Sequence, residues 1–421
     1  MSYRFVHAAD LHLDSPFNGL AGAAPENIAE VLRNSTFQAY EAIVDLCIEE
    51  RAEALLIAGD IYDGADRSLR AQRRFIAGLG RLDKAGIRSF VCHGNHDPLD
   101  GWEAGLDVPG SCHRFGPTIE GVPFDPSDPS RGMVYGMSYP RQSVKENIAR
   151  QFKRTDASGI AIGLLHCNVG NDTGHEPYAP CTLADLEAAG MDYWALGHVH
   201  TAQILRPQSP AIVYPGNPQG RHPNETGPRG VYLVDIDDAG RVSMERRSVD
   251  IVRWATLTVA IDELSAVQDV LDHIEAAVDE AREKAEGRHL LYRLVITGSG
   301  GLHADLQRGS VVEDIRSGLN ELAGSPFAWC GRIESRTRAA FDRQRAMEAG
   351  DFLSEVLALV DLARVDPGLQ SELGDGLEAF YGHNQARKYL KDARPSEDEF
   401  GQLLSEAETL IAGYLAGDLA G

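Results

Sequence analysis

Tyr3–His12, YRFVHAADLH, is the stretch on which the fold turns: an apolar run of strand length, Tyr3–Ala8, ends in Asp10-Leu11-His12. Four more runs along the chain end in a similar way. Ala54–Ala58 leads into Gly59-Asp60-Ile61-Tyr62-Asp63, and Ser89–Cys92 into Gly94-Asn95-His96-Asp97. Ile160–Leu165 leads into His166, and Tyr193–Leu196 into Gly197-His198-Val199-His200. Before the second run, Ala42, Ile43, Leu46 and Cys47 recur at helical spacing within Ala39–Glu49. Ala211–Tyr214 and Val231–Ile236 continue the alternation, the latter reaching an Asp238-Ala239-Gly240 turn that reads as a hairpin. Short apolar runs alternating with amphipathic stretches predict an α/β sandwich over residues 1–250. Gly116–Arg131, rich in Pro, Asp and Ser, reads as a surface excursion.

The rest of the chain changes character. Trp254–Ile261, Leu290–Thr297 and Phe327–Glu334 read as strands, with helices at Leu264–Glu286 and Val311–Leu322; residues 251–337 are therefore expected to form a small α+β capping domain. Residues 338–421 read as helical, over Phe341–Val365, Gly368–Phe380 and Ser396–Leu415, the last opening after Pro395 with Glu397 and Glu399 in its first turn. The apolar stripe Phe352, Val356, Leu359, Val360 and Ala363 suits either docking of a partner or packing on the protein's own body.

With 421 residues and 43% hydrophobic content the chain can build real cores, which excludes a disordered protein. No run of about 20 apolar residues suggests a membrane span. The polar opening and six scattered cysteines without a CxxC pair point to a reducing cytoplasm. A net charge of −23 excludes a nonspecific basic coat for nucleic acid, but not an enzyme whose centre is made positive by bound cations.

The chemistry lies at the strand ends, where α/β sheets present ligand groups. Asp10/His12 and His198/His200 are two apart, so in extended chain each pair points one way. Gly59, Gly94 and Gly197 allow sharp turns beside them. Carboxylate, imidazole and amide donors without thiolate suit Mn²⁺, Zn²⁺ or Fe²⁺. The donors are too many for one ion, which predicts two divalent ions roughly 3.5–4 Å apart. His7 reads as a packed histidine inside a strand, and Asp14 and Asp97 as turn or supporting carboxylates. Arg221 and His222, with Asn217 in the Gly216-Asn217-Pro218-Gln219-Gly220 loop before them, are candidates for substrate contact, since phosphate oxygens need amides and a guanidinium.

The five motifs D-x-H, G-D-x-x-D, G-N-H-D, H and G-H-x-H, in order over residues 10–200, resemble those of the calcineurin-like metallophosphoesterases. The resemblance implies a two-sheet sandwich flanked by helices, four layers αββα. It implies that Asp10, His12 and His200 bind one metal, Asn95, His166 and His198 the other, and that Asp60 bridges both. His96 is then the histidine facing the scissile phosphate, oriented by Asp63. Within that family, VHAADLHLDSPF and Tyr214–His222 are similar to the bacterial DNA-repair exonuclease group, the YhaO/SbcD-like nucleases. In archaeal and eukaryotic relatives the position of Asp63 is commonly His. This narrower resemblance implies a Mn²⁺-dependent DNA exonuclease, a homodimer, and a partner ATPase that is SMC-like, carries a coiled coil and is of the SbcC/YhaN kind. Two other readings use the same residues: a phosphodiesterase or phosphatase for small nucleotides or phosphoproteins, and a scaffold that recruits such an ATPase.

Overall fold

The computed structural model describes residues 2–17, 24–64, 68–155, 159–170, 178–381 and 400–417. Two six-stranded sheets dominate it. In the first, β1 (Tyr3–Ala8), β2 (Ala54–Ala58), β3 (Arg88–Cys92) and β4 (Cys112–Arg114) run parallel. The second has the order β5 (Glu120–Pro123), β6 (Gly132–Gly136), β7 (Ile160–His166), β8 (Tyr193–Gly197), β10 (Ala211–Tyr214), β9 (Gln203–Arg206). The hairpin β11 (Gly230–Ile236) and β12 (Val242–Ser248) returns to the first sheet, β11 lying antiparallel to β1. Helices α1 (Glu26–Glu49) and α2 (Leu69–Lys84) make the crossovers β1 to β2 and β2 to β3.

Strand periodicity sorts the side chains into layers. Val6, Leu55, Ile57 and Val91 face Ile43, Phe75 and Leu79 of the helices. Phe5, Leu56 and Phe90 point the other way, onto Ile162, Tyr193 and Val213 of the second sheet. On that sheet's outer side, Ala161, Leu165 and Trp194 pack with Phe152 and with Leu186 of α3 (Leu183–Ala188). This is the four-layer order helix, sheet, sheet, helix, with both sheets buried on two faces, which is why the central strands read as continuous apolar runs. Each such buried Leu, Ile or Phe contributes about 1.5–3 kcal/mol. The surface excursion expected at Gly116–Arg131 in fact contains strand β5, whose residues pair antiparallel with β6 at the sheet edge. An edge strand is only half covered, so Glu120-Gly121-Val122-Pro123 carries no apolar run to betray it.

Chain contacts divide the protein into two units. The first comprises Met1–Thr256, Asp279–Arg293 and Leu322–Gly331; here Val252, Trp254, Leu291 and Trp329 pack with Phe17, Ile28 and Leu32. The second comprises Leu257–Val278, Leu294–Glu321 and Arg332–Gly421. In that unit the helix expected over Phe341–Val365 is two helices, Arg343–Glu348 and Phe352–Val365. Gly350, with φ +65°, breaks the chain, and Asp351 caps the restart by accepting from the Ser354 amide at 3.1 Å. The packed stripe of the second helix is Leu353, Leu357 and Ala363, whereas Phe352 and Leu359 of the expected stripe are exposed. A helix runs over Phe400–Gly417; its expected start at Pro395-Ser396 lies outside the described residues. No helix among the described residues is long and apolar enough to cross a membrane.

Candidate metal centre

Beyond β1 and β2 the chain stays paired: the Asp10 amide donates to Gly59 O and the His12 amide to Asp60 O, both at 3.0 Å. This continued ladder sets Asp10, His12 and Asp60 side by side. Gly59 is required behind them, since at φ +88° a Cβ there would lie 2.4 Å from His166 Nδ1. Asp10, His12, Asp60 and His198 themselves hold left-handed backbone, with φ of 54°, 42°, 51° and 102°. Four non-glycine residues at that cost, all at strand ends, is the strain pattern of a functional site.

Among the described residues, three groups of donor atoms lie within 4.8 Å of one another: Asp10, His12 and His200; Asp10, Asp60 and His166; and His12, Asp63 and His96. Asn95 joins the second, its Oδ1 2.9 Å from His166 Nε2. His198 falls in none of the three; its amide donates to Asp10 and its ring centroid is 5.3 Å from that of His166. Asp10, His12, Asp60 and His166 are essentially inaccessible to solvent, whereas the His96 side chain is 40% exposed and can be reached from outside.

The donor set fits a cation. His166 Nδ1–H donates to Ala58 O at 2.9 Å, so its Nε2 faces only acceptors, Asn95 Oδ1 and Asp60 Oδ2, the latter at 3.4 Å. His200 Nδ1–H donates to Glu225 Oε1 at 2.7 Å, which turns its Nε2 to His12 Nε2 at 3.1 Å. His12 Nδ1 is buried with no hydrogen-bond partner. Lone pairs converging in this way need positive charge among them, a metal ion or protons. The titration directions agree. Burial, with Arg221, His200 and His96 beside it, holds His12 well below its ordinary value and so neutral. Burial raises Asp10 to about 6 against the pull of His166 and His200. Burial opposes the charge on His166, yet Asp60 and Asp10 outweigh it and raise it to about 9.

His96 and Asp63 form a separate pair, His96 Nδ1 donating to Asp63 Oδ1 at 2.8 Å. That bond, against some burial, raises His96 above its ordinary value. It also holds Asp63 well below the carboxylate range, with help from Ser15 and Arg221. Of the residues expected to touch substrate, His222 is exposed, while Arg221 is turned onto Asp63 Oδ2 at 3.1 Å. Asn217 is fully buried, its amide donating to Gln219 O and Glu225 Oε1 and accepting from Arg229. His7 is satisfied between Tyr193 Oη and Leu196 O. Asp97 accepts from the amides of Ile61 and Gly94 and pairs with His93, tying two motif loops together. Sequence reading missed Glu225, the partner of His200. It lies outside every motif, and only its charge among polar loop residues could have drawn notice.

Residues 3–202 match the family described as calcineurin-like phosphoesterase, and residues 254–338 the one described as metallophosphoesterase YhaO, middle domain. A Bacillus subtilis protein described as "Uncharacterized metallophosphoesterase YhaO" is 32% identical over 98% of this chain and 97% of its own. "DNA double-strand break repair protein Mre11" of Aeropyrum pernix is 27% identical over 51% of this chain and 53% of its own. A component of the nuclease SbcCD of Bacillus subtilis is 27% identical over 55% and 66% respectively.

Proposed function

The chain belongs to the calcineurin-like phosphoesterases and, within them, to the YhaO family, and on that footing we propose that this metallophosphoesterase is a DNA nuclease, acting as an exonuclease in DNA repair. The names of the Mre11 and SbcCD relatives support DNA as the substrate. Members of the family bind divalent metals. We assign Asp10, His12 and His200 to one ion, Asn95, His166 and His198 to a second, and Asp60 to both, with Mn²⁺ the ion suited to this mixture of donors. When bound, such ions neutralise phosphate charge and furnish hydroxide at neutral pH.

The remaining work falls to side chains. Asp63 Oδ1 holds the Nδ1–H of His96, which leaves Nε2–H to be given to the departing oxygen. General acid catalysis of this kind contributes about 10²–10⁴-fold. Asp63 keeps the ring charged and fixed, and His222 offers an exposed imidazole at the rim. Residues 1–250 are the catalytic domain in this reading, 251–337 a cap, and 338–421 a region for a coiled-coil ATPase partner. The SbcCD relative, named as one part of a larger nuclease, supports the last assignment, as do the exposed Phe352, Leu359 and Val365.

The observation that carries the proposal is the half-exposed His96–Asp63 pair set beside two buried donor groups. Its test is cleavage of end-labelled duplex and single-stranded DNA in Mn²⁺, alongside bis-p-nitrophenyl phosphate. Wild type is expected to degrade DNA, and His96→Ala to lose that activity while still binding Mn²⁺. Cleavage of the small ester alone would remove DNA as the substrate of the isolated chain.

A further inference from the structure

The loop between β10 and β11 lies outside the five motif segments, yet two of its side chains reach residues of the centre. Glu225 Oε1 accepts from His200 Nδ1 at 2.7 Å and from Asn217 Nδ2 at 3.0 Å. Its Oε2 accepts the backbone amides of Arg221 at 2.6 Å and His222 at 3.1 Å. The guanidinium of Arg221 in turn donates to Asp63 Oδ2 at 3.1 Å and to Ser15 Oγ, while Ser15 Oγ donates to Asp63 Oδ2 at 2.6 Å. The opposite oxygen of Asp63 holds His96. One carboxylate thus joins His200 to the arm that carries Arg221, and Arg221 joins that arm to the His96 pair.

The loop itself is firmly seated. At Gly216 φ is +75°, and a Cβ there would lie 2.6 Å from His200 O. Gln219 bonds the backbone of Ile251 and Val252, and Trp254 Nε1 donates to Gly220 O at 3.2 Å. Such anchoring lets the arm transmit a fixed position.

We propose that Arg221 and Glu225 are positioning residues that act as one arm: Glu225 orients the ring of His200 and holds the Arg221 backbone, and Arg221 fixes Asp63 so that His96 is held in register with the bound ester. The proposal rests on the hydrolase reading of the centre. It also revises the place of Arg221, from a phosphate contact to a support behind the acid.

The two roles separate kinetically, because loss of a direct phosphate contact appears in KM and loss of positioning in kcat. With bis-p-nitrophenyl phosphate and Mn²⁺, Arg221→Ala is expected to lower kcat about 10–100-fold with KM within about threefold of wild type. Arg221→Lys should recover part of the loss, since an ammonium can still meet Asp63 as a point charge. It also serves as the test variant if Arg221→Ala does not fold. Glu225→Gln is expected to weaken Mn²⁺ binding about 10–100-fold by titration calorimetry, as for other partners of ligand histidines. A loss confined to KM in the Arg221 variants would overturn the proposal, and so would unaltered Mn²⁺ affinity in Glu225→Gln. If wild type cuts neither the ester nor DNA, the hydrolase reading fails, and if it leaves only the ester uncut that reading stands; in both cases histidine-ring NMR still tests the arm. His96 signals should move in Arg221→Ala and His200 signals in Glu225→Gln; unmoved signals overturn it.

Discussion

The strand ends that carry the donor groups and the loop over residues 214–225 meet at the same histidines, yet they are built on opposite terms. At the strand ends Asp10, His12, Asp60 and His166 are buried, the backbone is left-handed at Asp10, His12, Asp60 and His198, and lone pairs are turned inward. In the loop Asn217, Gln219 and Glu225 all commit their side chains to named bonds. Chemistry and support are therefore separate parts of this centre. Residues in left-handed backbone hold the reacting groups, and loop side chains bonded to them hold those groups still.

The severest test of that separation is at Asp60, the residue proposed to hold both ions. Asp60→Asn is expected to lower kcat on bis-p-nitrophenyl phosphate on the order of 10³-fold, equivalent to several kcal/mol, and to weaken Mn²⁺ binding in calorimetry. Activity near wild type would mean that the strand ends are not the centre. His96→Ala should cost about 10²–10⁴-fold in kcat while Mn²⁺ binding persists, which separates the acid from the ligands.

A smaller effect is expected at Asp63. Asp63→Asn should lower kcat about 10–100-fold, as loss of a supporting partner does. It should also shift the alkaline limb of the pH–rate profile. Asp63 raises His96, so the protonated acid persists to higher pH and is lost only as pH climbs through that raised value. Without the carboxylate the limb moves to lower pH; an unmoved limb would assign it to another group. Smallest of all, Asn217→Ala removes partners of Glu225 and Arg229 and should cost about 1–3 kcal/mol in urea unfolding. If it instead abolished hydrolysis in a folded protein, the loop would be part of the chemistry and the separation would collapse.

How much could be read beforehand followed the same line. The central strands were legible because burial on both faces forces apolar runs, and their ends because glycine, aspartate and histidine recur at short spacing. Edge strand β5 was not, being covered on one side and rich in turn formers. The helix break at Gly350-Asp351 was written in its residues, yet the apolar periodicity on either side disguised it. Arg221 stands out in the sequence as a guanidinium beside a glycine-rich loop, but its carboxylate partner is 158 residues away.

Which chemical groups this protein brings to its centre is legible in residue order, because aspartate, histidine and glycine recur just past the apolar runs, at the strand ends where such sheets present ligand groups. The partner of each group is not: Ala58 O for His166, Glu225 for His200, Asp63 for His96, and Arg221 for Asp63 emerge when the chain has folded. A hydrogen bond depends on separation in space, and no spacing rule along the chain reports distance between segments that meet only after folding.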